Sequence, residues 1–300
     1  MRGLHFTLHS RSQKHIIAEV KFMPRTLLDW LITHYPTAKR QTLKRMVQAG
    51  RVTVNGKPAT TLKHPLGETD QVAVDARQAV QLPELPKGLH IVYEDADLLV
   101  LDKPAGLLTS TVPREQRPTL WAMARQYVQA SDPRARVGLI HRLDRDASGL
   151  LIFSKNDAAY QSLKTQFFNH TVRREYTALV HGIPKPPSGQ IETHLVERAD
   201  GTVHSTRQTG KGQIAVTKYE VVKSAGKQSL LRVVLETGRK HQIRVHFSER
   251  GCPIVGDKVY GREDDARRLM LVAIRLTIRH PVNAKEMTFA IAAPKEIAKW

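Results

Sequence analysis

The chain has 300 residues, enough for one large domain or two with real cores, and 41% hydrophobic with 25% charged residues excludes a disordered or fibrous protein. Lys and Arg total 47 against 28 Asp and Glu, a formal net charge of +19, so the protein attracts polyanions, nucleic acid before an anionic membrane surface. The single cysteine, Cys252, excludes an internal disulfide and a cysteine-rich zinc site; with no apolar run long enough for a membrane span and no secretory pattern over Met1–Thr7, a cytoplasmic protein is expected.

Residues 1–20 are polar, His-rich and weakly patterned, and read as a tail or an edge strand. From Pro24 the pattern sharpens. Leu27, Leu28, Leu31 and Ile32 fall at helical spacing until Pro36. A second helix carries Leu43, Met46 and Val47 on one face, with Gly50 as its C′ residue. Arg51–Val54 reads as a strand turned by Asn55-Gly56, a strong two-residue hairpin signal, and Gln71–Val74 closes the unit. Residues 76–88, with Pro83, Pro86 and Gly88, read as a linker. Beyond it, strands are expected at 89–93, 98–102, 149–153, 176–180, 216–222 and 230–236, and helices at 119–129, 157–168 and 241–248. This mixed order predicts an α+β protein, with a mixed, largely antiparallel sheet over 89–300 and a small helical module over 21–75.

Between residues 21 and 63 there are nine Lys and Arg and one acid, Asp29, a net +8. Such a run is often only a solvated face. Here Lys39, Arg40, Lys44 and Arg45 share one helix opposite its apolar side, which suits a surface that tracks phosphates. Arg25–Leu31, this basic helix and Gly50–Gly56 together resemble the small αL RNA-binding module of the S-four type. The closing Gly-Asp of that module appears here as Gly67-Glu68-Thr69-Asp70, a lengthened turn.

The run His141-Arg142-Leu143-Asp144-Arg145-Asp146-Ala147-Ser148-Gly149-Leu150 follows a strand-like 137–140 and leads into an apolar strand, so it reads as a loop on a rigid scaffold. Asp144 stands between Arg142 and Arg145, whose charge favours an ionised carboxylate suited to a nucleophile or base. A surface ion pair would have the same pattern. The run resembles the signature loop of the RluA-type pseudouridine synthases, in which the loop Asp is the essential catalytic residue. That family most often has Thr where this chain has Ala147, a hydroxyl worth on the order of 1 kcal/mol as a loop hydrogen bond. Tyr93–Gly106, with Lys103-Pro104, Arg174–Val180, Glu236–His246 and Pro253–Gly261 resemble further motifs of the family in the same order. Together the resemblance spans roughly residues 24–290.

The resemblance implies the pseudouridine synthase fold and three catalytic residues: Asp144, Tyr176 stacking on the target uracil, and Arg244 paired with Asp144. On pattern alone, Tyr176 reads first as an ordinary core aromatic of its strand. Ile243 and Phe247, at i and i+4, turn Arg244 to another side of its helix. Arg142, Arg145 and Arg239 are candidates for RNA phosphates. His141, His241 and His246 lack metal-ligand spacing, and Gly149 and Gly238 read as backbone requirements, so no metal or cofactor is expected. The implied reaction detaches a flipped-out uracil from ribose and rejoins it through C5. Asp144 either attacks C1′ or removes a ribose proton, and Tyr176 or a water takes the C5 proton. RNA is the expected partner, ribosomal before transfer RNA, with no membrane and no obligate protein partner. The alternatives are a non-catalytic RNA-binding or ribosome-assembly protein, and a glycosylase that releases uracil.

Overall fold

The computed structural model describes residues 15–18, 26–36, 38, 40–48, 50–75, 89–111, 117–208 and 210–300. The expected linker over 76–88, most of 1–20, Lys39 and the side chain of Arg45 lie outside those residues. The chain divides into two compact units, Met1–Glu84 with Gln129–Arg134, and Leu85–Val128 with Ala135–Trp300.

In the first unit, β1 (His15–Ala18) is followed by helices α1 (Leu27–His34) and α2 (Arg40–Gln48), then β2 (Val52–Val54), β3 (Lys57–Pro58) and β4 (Val72–Asp75). Thr26 caps α1 through a capping box with Asp29, which satisfies two otherwise orphan N–H groups. Leu27, Trp30 and Leu31 are buried, whereas Ile32 is exposed, because at 100° per residue it rotates past the core face that 27, 30 and 31 share. Gly50 takes φ +68°; its N–H bonds Val47 and that of Arg51 bonds Met46, a Schellman ending for α2. Asn55 and Gly56 both have positive φ, the type I′ turn that joins β2 to β3. The four strands run in the order β1-β4-β2-β3, with β1 at the edge, antiparallel to β4.

The second unit contains β5 (His90–Glu94), β6 (Leu98–Lys103), α3 (Leu120–Gln129), β7 (Gly138–Leu139), β8 (Ser148–Ser154), α4 (Asp157–Phe168), β9 (Arg173–His181), β10 (Ser188–Glu197), β11 (Val203–Thr206), β12 (Gln213–Ala225), β13 (Gln228–Leu235), α5 (Gln242–Glu249), β14 (Leu271–Arg279), β15 (Glu286–Ala290) and α6 (Lys295–Ala298). Its eleven strands form one sheet, β11-β10-β12-β13-β9-β14-β8-β6-β5, with β15 on β14 and β7 on β8. Among the described residues, β14 with β8 is the only parallel pair. Every residue of β8 is buried, which explains its unbroken apolar run. Leu151 and Phe153 enter the core on one face, with α3 and α5. Leu150 and Ile152 enter the core on the other, with Leu163 of α4. Strands β10, β11, β14 and β15 were not expected. Only Ile191 and Leu195 of β10 and Phe289 of β15 are buried, so little apolar alternation marks those two.

Gly149 is where the signature loop joins the sheet. Its φ is +113°, and a Cβ there would lie 2.3 Å from the Ala273 carbonyl oxygen across the parallel β8–β14 contact. No other residue fits both constraints.

Candidate active site

Asp144 sits in the loop between β7 and β8, and buried groups hold that loop from below. Thr109 donates through Oγ1 to the Leu143 carbonyl (2.8 Å) and accepts from the Leu143 N–H (3.3 Å). Lys103 is fully buried, and its Nζ donates to the carbonyls of Pro104, Leu107 and Arg145 at 3.0, 2.7 and 2.9 Å. Burial pushes its pKa down to about 7, against the opposing charges of Asp144 and Asp146. At the loop's start, His141 Nε2 accepts the Ile152 N–H (3.1 Å), and the ring stacks on Phe167. Burial, with Arg174 adding to it, pushes His141 down to about 3, so the neutral ring carries its proton on Nδ1. Ala147 is buried in the core, where a methyl packs without needing a partner.

The cation beside Asp144 is not one of its sequence neighbours. Arg145 turns away to Asp146 (3.3 Å) at the surface, and Arg142 is exposed. Arg244, from α5 and 3% exposed, reaches Asp144 Oδ2 through Nη1 at 3.4 Å. Its closer partner is a residue that sequence reading passed over. Nε and Nη2 donate to the two oxygens of Asp257, each at 2.8 Å. Burial disfavours both charges, but the pairing outweighs it, holding Arg244 above and Asp257 below their ordinary values. Asp257 also accepts the N–H groups of Val259 and Tyr260, and the Tyr260 ring lies under the guanidinium. The expected pairing of Arg244 with Asp144 is therefore present but secondary.

Helix α5 is anchored by a satisfied polar network. Gln242 accepts from Thr237 Oγ1 and the Arg239 N–H, and donates to the Val216 carbonyl and Thr217 Oγ1. His246 uses both ring nitrogens, on Thr193 and Thr217. His241 opens the helix at φ +54° with Nδ1 on the Tyr260 hydroxyl (2.8 Å). The three histidines thus have separate partners and do not converge.

A cavity of about 800 Å³ opens over these groups, lined by Arg142, Asp144, Tyr176, Arg239 and His241 and flanked by Phe167 and Phe168 of α4. Tyr176, on β9, is 6% exposed, and burial raises its pKa. Arg239 donates through Nε to the Ile214 carbonyl (3.0 Å). Of the expected site residues, Asp144, Tyr176, Arg142 and Arg239 line one cavity, Arg244 touches Asp144 from outside its lining, and Arg145 stands apart. Arg40 and Lys44 are exposed on α2. Lys103, Arg174, Gln242 and Asp257 lie inside the family's ordered motifs, so each was legible as a position without its role.

Comparison with known proteins decides the family. The sequence model for RNA pseudouridylate synthase matches residues 97–249, and that for the S4 domain matches residues 31–72. The chain belongs to the RNA pseudouridine synthase family. It is 34% identical to the uncharacterized RNA pseudouridine synthase YlyB of Bacillus subtilis, over 93% of this chain and 91% of that one. It is 36% identical to the ribosomal large subunit pseudouridine synthase D of Zymomonas mobilis, over 70% of each. The solved structure of human RNA pseudouridylate synthase domain containing 4 superposes with a TM-score of 0.59 at 23% identity, covering 69% of this chain and 90% of that one, which shows the fold. This RNA pseudouridine synthase is accordingly an isomerase of the RluA type, with the pseudouridine synthase fold and an S4 domain at its N-terminal side. Among the described residues, no helix is long and apolar enough to cross a membrane.

Proposed function

We propose that Asp144 is the reacting carboxylate of this synthase. The observation that carries the reading is the division of labour around Arg244: Asp257 holds the guanidinium by two short hydrogen bonds, and Asp144 meets its remaining edge while facing the cavity. Asp144 is thereby oriented by a cation without being locked to it, as a group that must attack C1′ or take a ribose proton requires. Tyr176 provides the stacking face for an extruded uracil, and Arg244 orients the carboxylate. Arg142 and Arg239 contact phosphates beside the flipped nucleotide, and Arg145 those further out. Residues 89–300 are the catalytic domain, and residues 21–75 the RNA-binding module, whose Lys39, Arg40, Lys44 and Arg45 follow the backbone. The substrate is ribosomal RNA, a reading supported by relatives named for the large ribosomal subunit, with transfer RNA second, and the protein works in the cytoplasm.

Asp144→Asn keeps the shape and removes the charge. It is expected to abolish pseudouridine formation with stability and RNA affinity retained. Activity within about tenfold of wild type, a loss of only about 1.4 kcal/mol, would remove Asp144 from the chemistry. Mapping pseudouridine across ribosomal and transfer RNA with and without the gene identifies the target.

A further inference from the structure

Arg174 and Tyr176 are two residues apart on β9, so both face the cavity that holds Asp144. Arg174 is 9% exposed. Its Nη2 donates to the carbonyls of Leu235 (3.4 Å) and Glu236 (3.2 Å), and its guanidinium lies over the Phe167 ring. Its Nε is buried without a hydrogen-bond partner, and among the described residues it forms no ion pair. Nη1 lies 2.5 Å from where a Cβ on Gly238 would stand, so a side chain there would displace the guanidinium. A buried cation without a carboxylate is costly. Arg244, by contrast, has two carboxylates. Of the two buried arginines at the site, Arg244 is paired with carboxylates and, among the described residues, Arg174 is not.

The reaction supplies the missing anion. When the N1–C1′ bond breaks, its electron pair stays on uracil, whichever route Asp144 takes. In one route the carboxylate becomes a neutral ester of C1′; in the other it becomes a neutral acid holding the ribose proton. Either way, the negative charge carried by Asp144 before the step is on the base after it, spread over N1, O2 and O4. The base must then turn and offer C5 to C1′ without escaping. Reattachment forms the C1′–C5 bond and frees the carboxylate, which leaves C1′ in the first route and returns its proton to the ribose carbon in the second. Loss of the C5 proton and protonation of N1 complete an isomer with no net change in atoms. Tyr176, kept protonated by burial, offers a stacking face but no charge.

We infer that Arg174 is the cation that receives the detached uracil anion, through its Nε and Nη1 donors, and holds it against Tyr176 while it turns. The inference rests on Asp144 being the reacting carboxylate. Arg174 is then a catalytic residue, charge-matched to the intermediate and not to the resting substrate, which is where electrostatic stabilisation is most effective.

The test compares Arg174→Met, which keeps the length and loses the charge, with Arg174→Lys, which keeps the charge. Single-turnover cleavage of the N1–C1′ bond is measured on RNA with uridine at the target, and on the same RNA with 5-fluorouridine, whose base is a more acidic leaving group. Arg174→Met is expected to slow the uridine substrate by about 10²–10³-fold at unchanged RNA affinity, to slow the fluorinated one clearly less, and Arg174→Lys to recover part of the rate. Equal slowing on both substrates, or a loss of affinity that accounts for the slowing, overturns the inference. Gly238→Ala crowds the guanidinium and gives the same comparison should Arg174→Met fail to fold. Asp144→Asn run alongside separates the two ideas: if it stays active, the reading of Asp144 fails and the inference with it. If it is inactive while Arg174→Met slows both substrates equally, only the inference fails.

Discussion

Arg244 and Asp257 form a bidentate pair, with two hydrogen bonds of 2.8 Å each between side chains almost wholly excluded from solvent. The pair fixes the guanidinium plane independently of Asp144, whose charge changes during the reaction. Asp257→Asn leaves a buried arginine with one carboxylate, Asp144 at 3.4 Å, and removing one partner of such a pair costs about 3–5 kcal/mol. We expect a lower denaturant midpoint together with a fall in turnover, RNA affinity being retained. Unchanged stability in urea titration would mean that the pair anchors nothing.

Tyr176→Phe keeps the aromatic face and removes the hydroxyl. Burial keeps that hydroxyl protonated, so binding and turnover are expected to stay near wild type; a fall of about 10²–10⁴-fold, the range of general acid–base contributions, would instead make the hydroxyl the acceptor of the C5 proton. Wild-type turnover on the same RNA would restrict Tyr176 to stacking.

Acid should destabilise this protein earlier than its carboxylates require. Burial lowers His246 to about 4 and His141 to about 3, so the folded state keeps both rings neutral while the unfolded chain takes up protons below about pH 6.5. The unfolded state then binds more protons, and stability falls with pH. The contribution is intact above pH 6.5 and is lost from there down to about 4 for His246 and about 3 for His141. Each ring costs about 1.4 kcal/mol per pH unit within its window. Urea unfolding at pH 7.5 and 5 reads the slope, and His246→Gln should flatten it. Parallel slopes for variant and wild type would reject a neutral buried His246.

Replacing Lys39, Arg40, Lys44 and Arg45 together with Gln tests the basic helix of the S4 domain. Each phosphate left without its cation should lower the slope of log affinity against log salt by about 0.7–0.9, so the four together should flatten it by about 3 units. RNA binding should weaken broadly, with chemistry on a short saturating substrate intact. An unchanged slope in matched salt titrations would make this face merely solvated.

Local signals carried much of the architecture. Gly50 and Asn55-Gly56 act within a few residues of themselves, so the helix ending and the turn of the first unit could be read along the chain. The buried β8 announced itself by its apolar run because both its faces are covered. By contrast, β10 and β15 bury too few side chains to leave a periodic trace.

The sequence by itself determined that this is a basic, α+β chain with the ordered motifs of a pseudouridine synthase, and it singled out Asp144, Tyr176 and Arg244. Those features are local in residue type and spacing, so they survive in one dimension. Only the tertiary structure decided which charges meet. Asp144 is flanked in sequence by Arg142 and Arg145, yet its cation comes from α5, a hundred positions away, and that cation belongs first to Asp257. Among the described residues Arg174 forms no ion pair, for the same reason, and its Nε has no hydrogen-bond partner. A side chain's partner depends on which strands and helices the sheet brings together, and burial raises both the value of a pair and the cost of a missing one, whatever lies next to it along the chain.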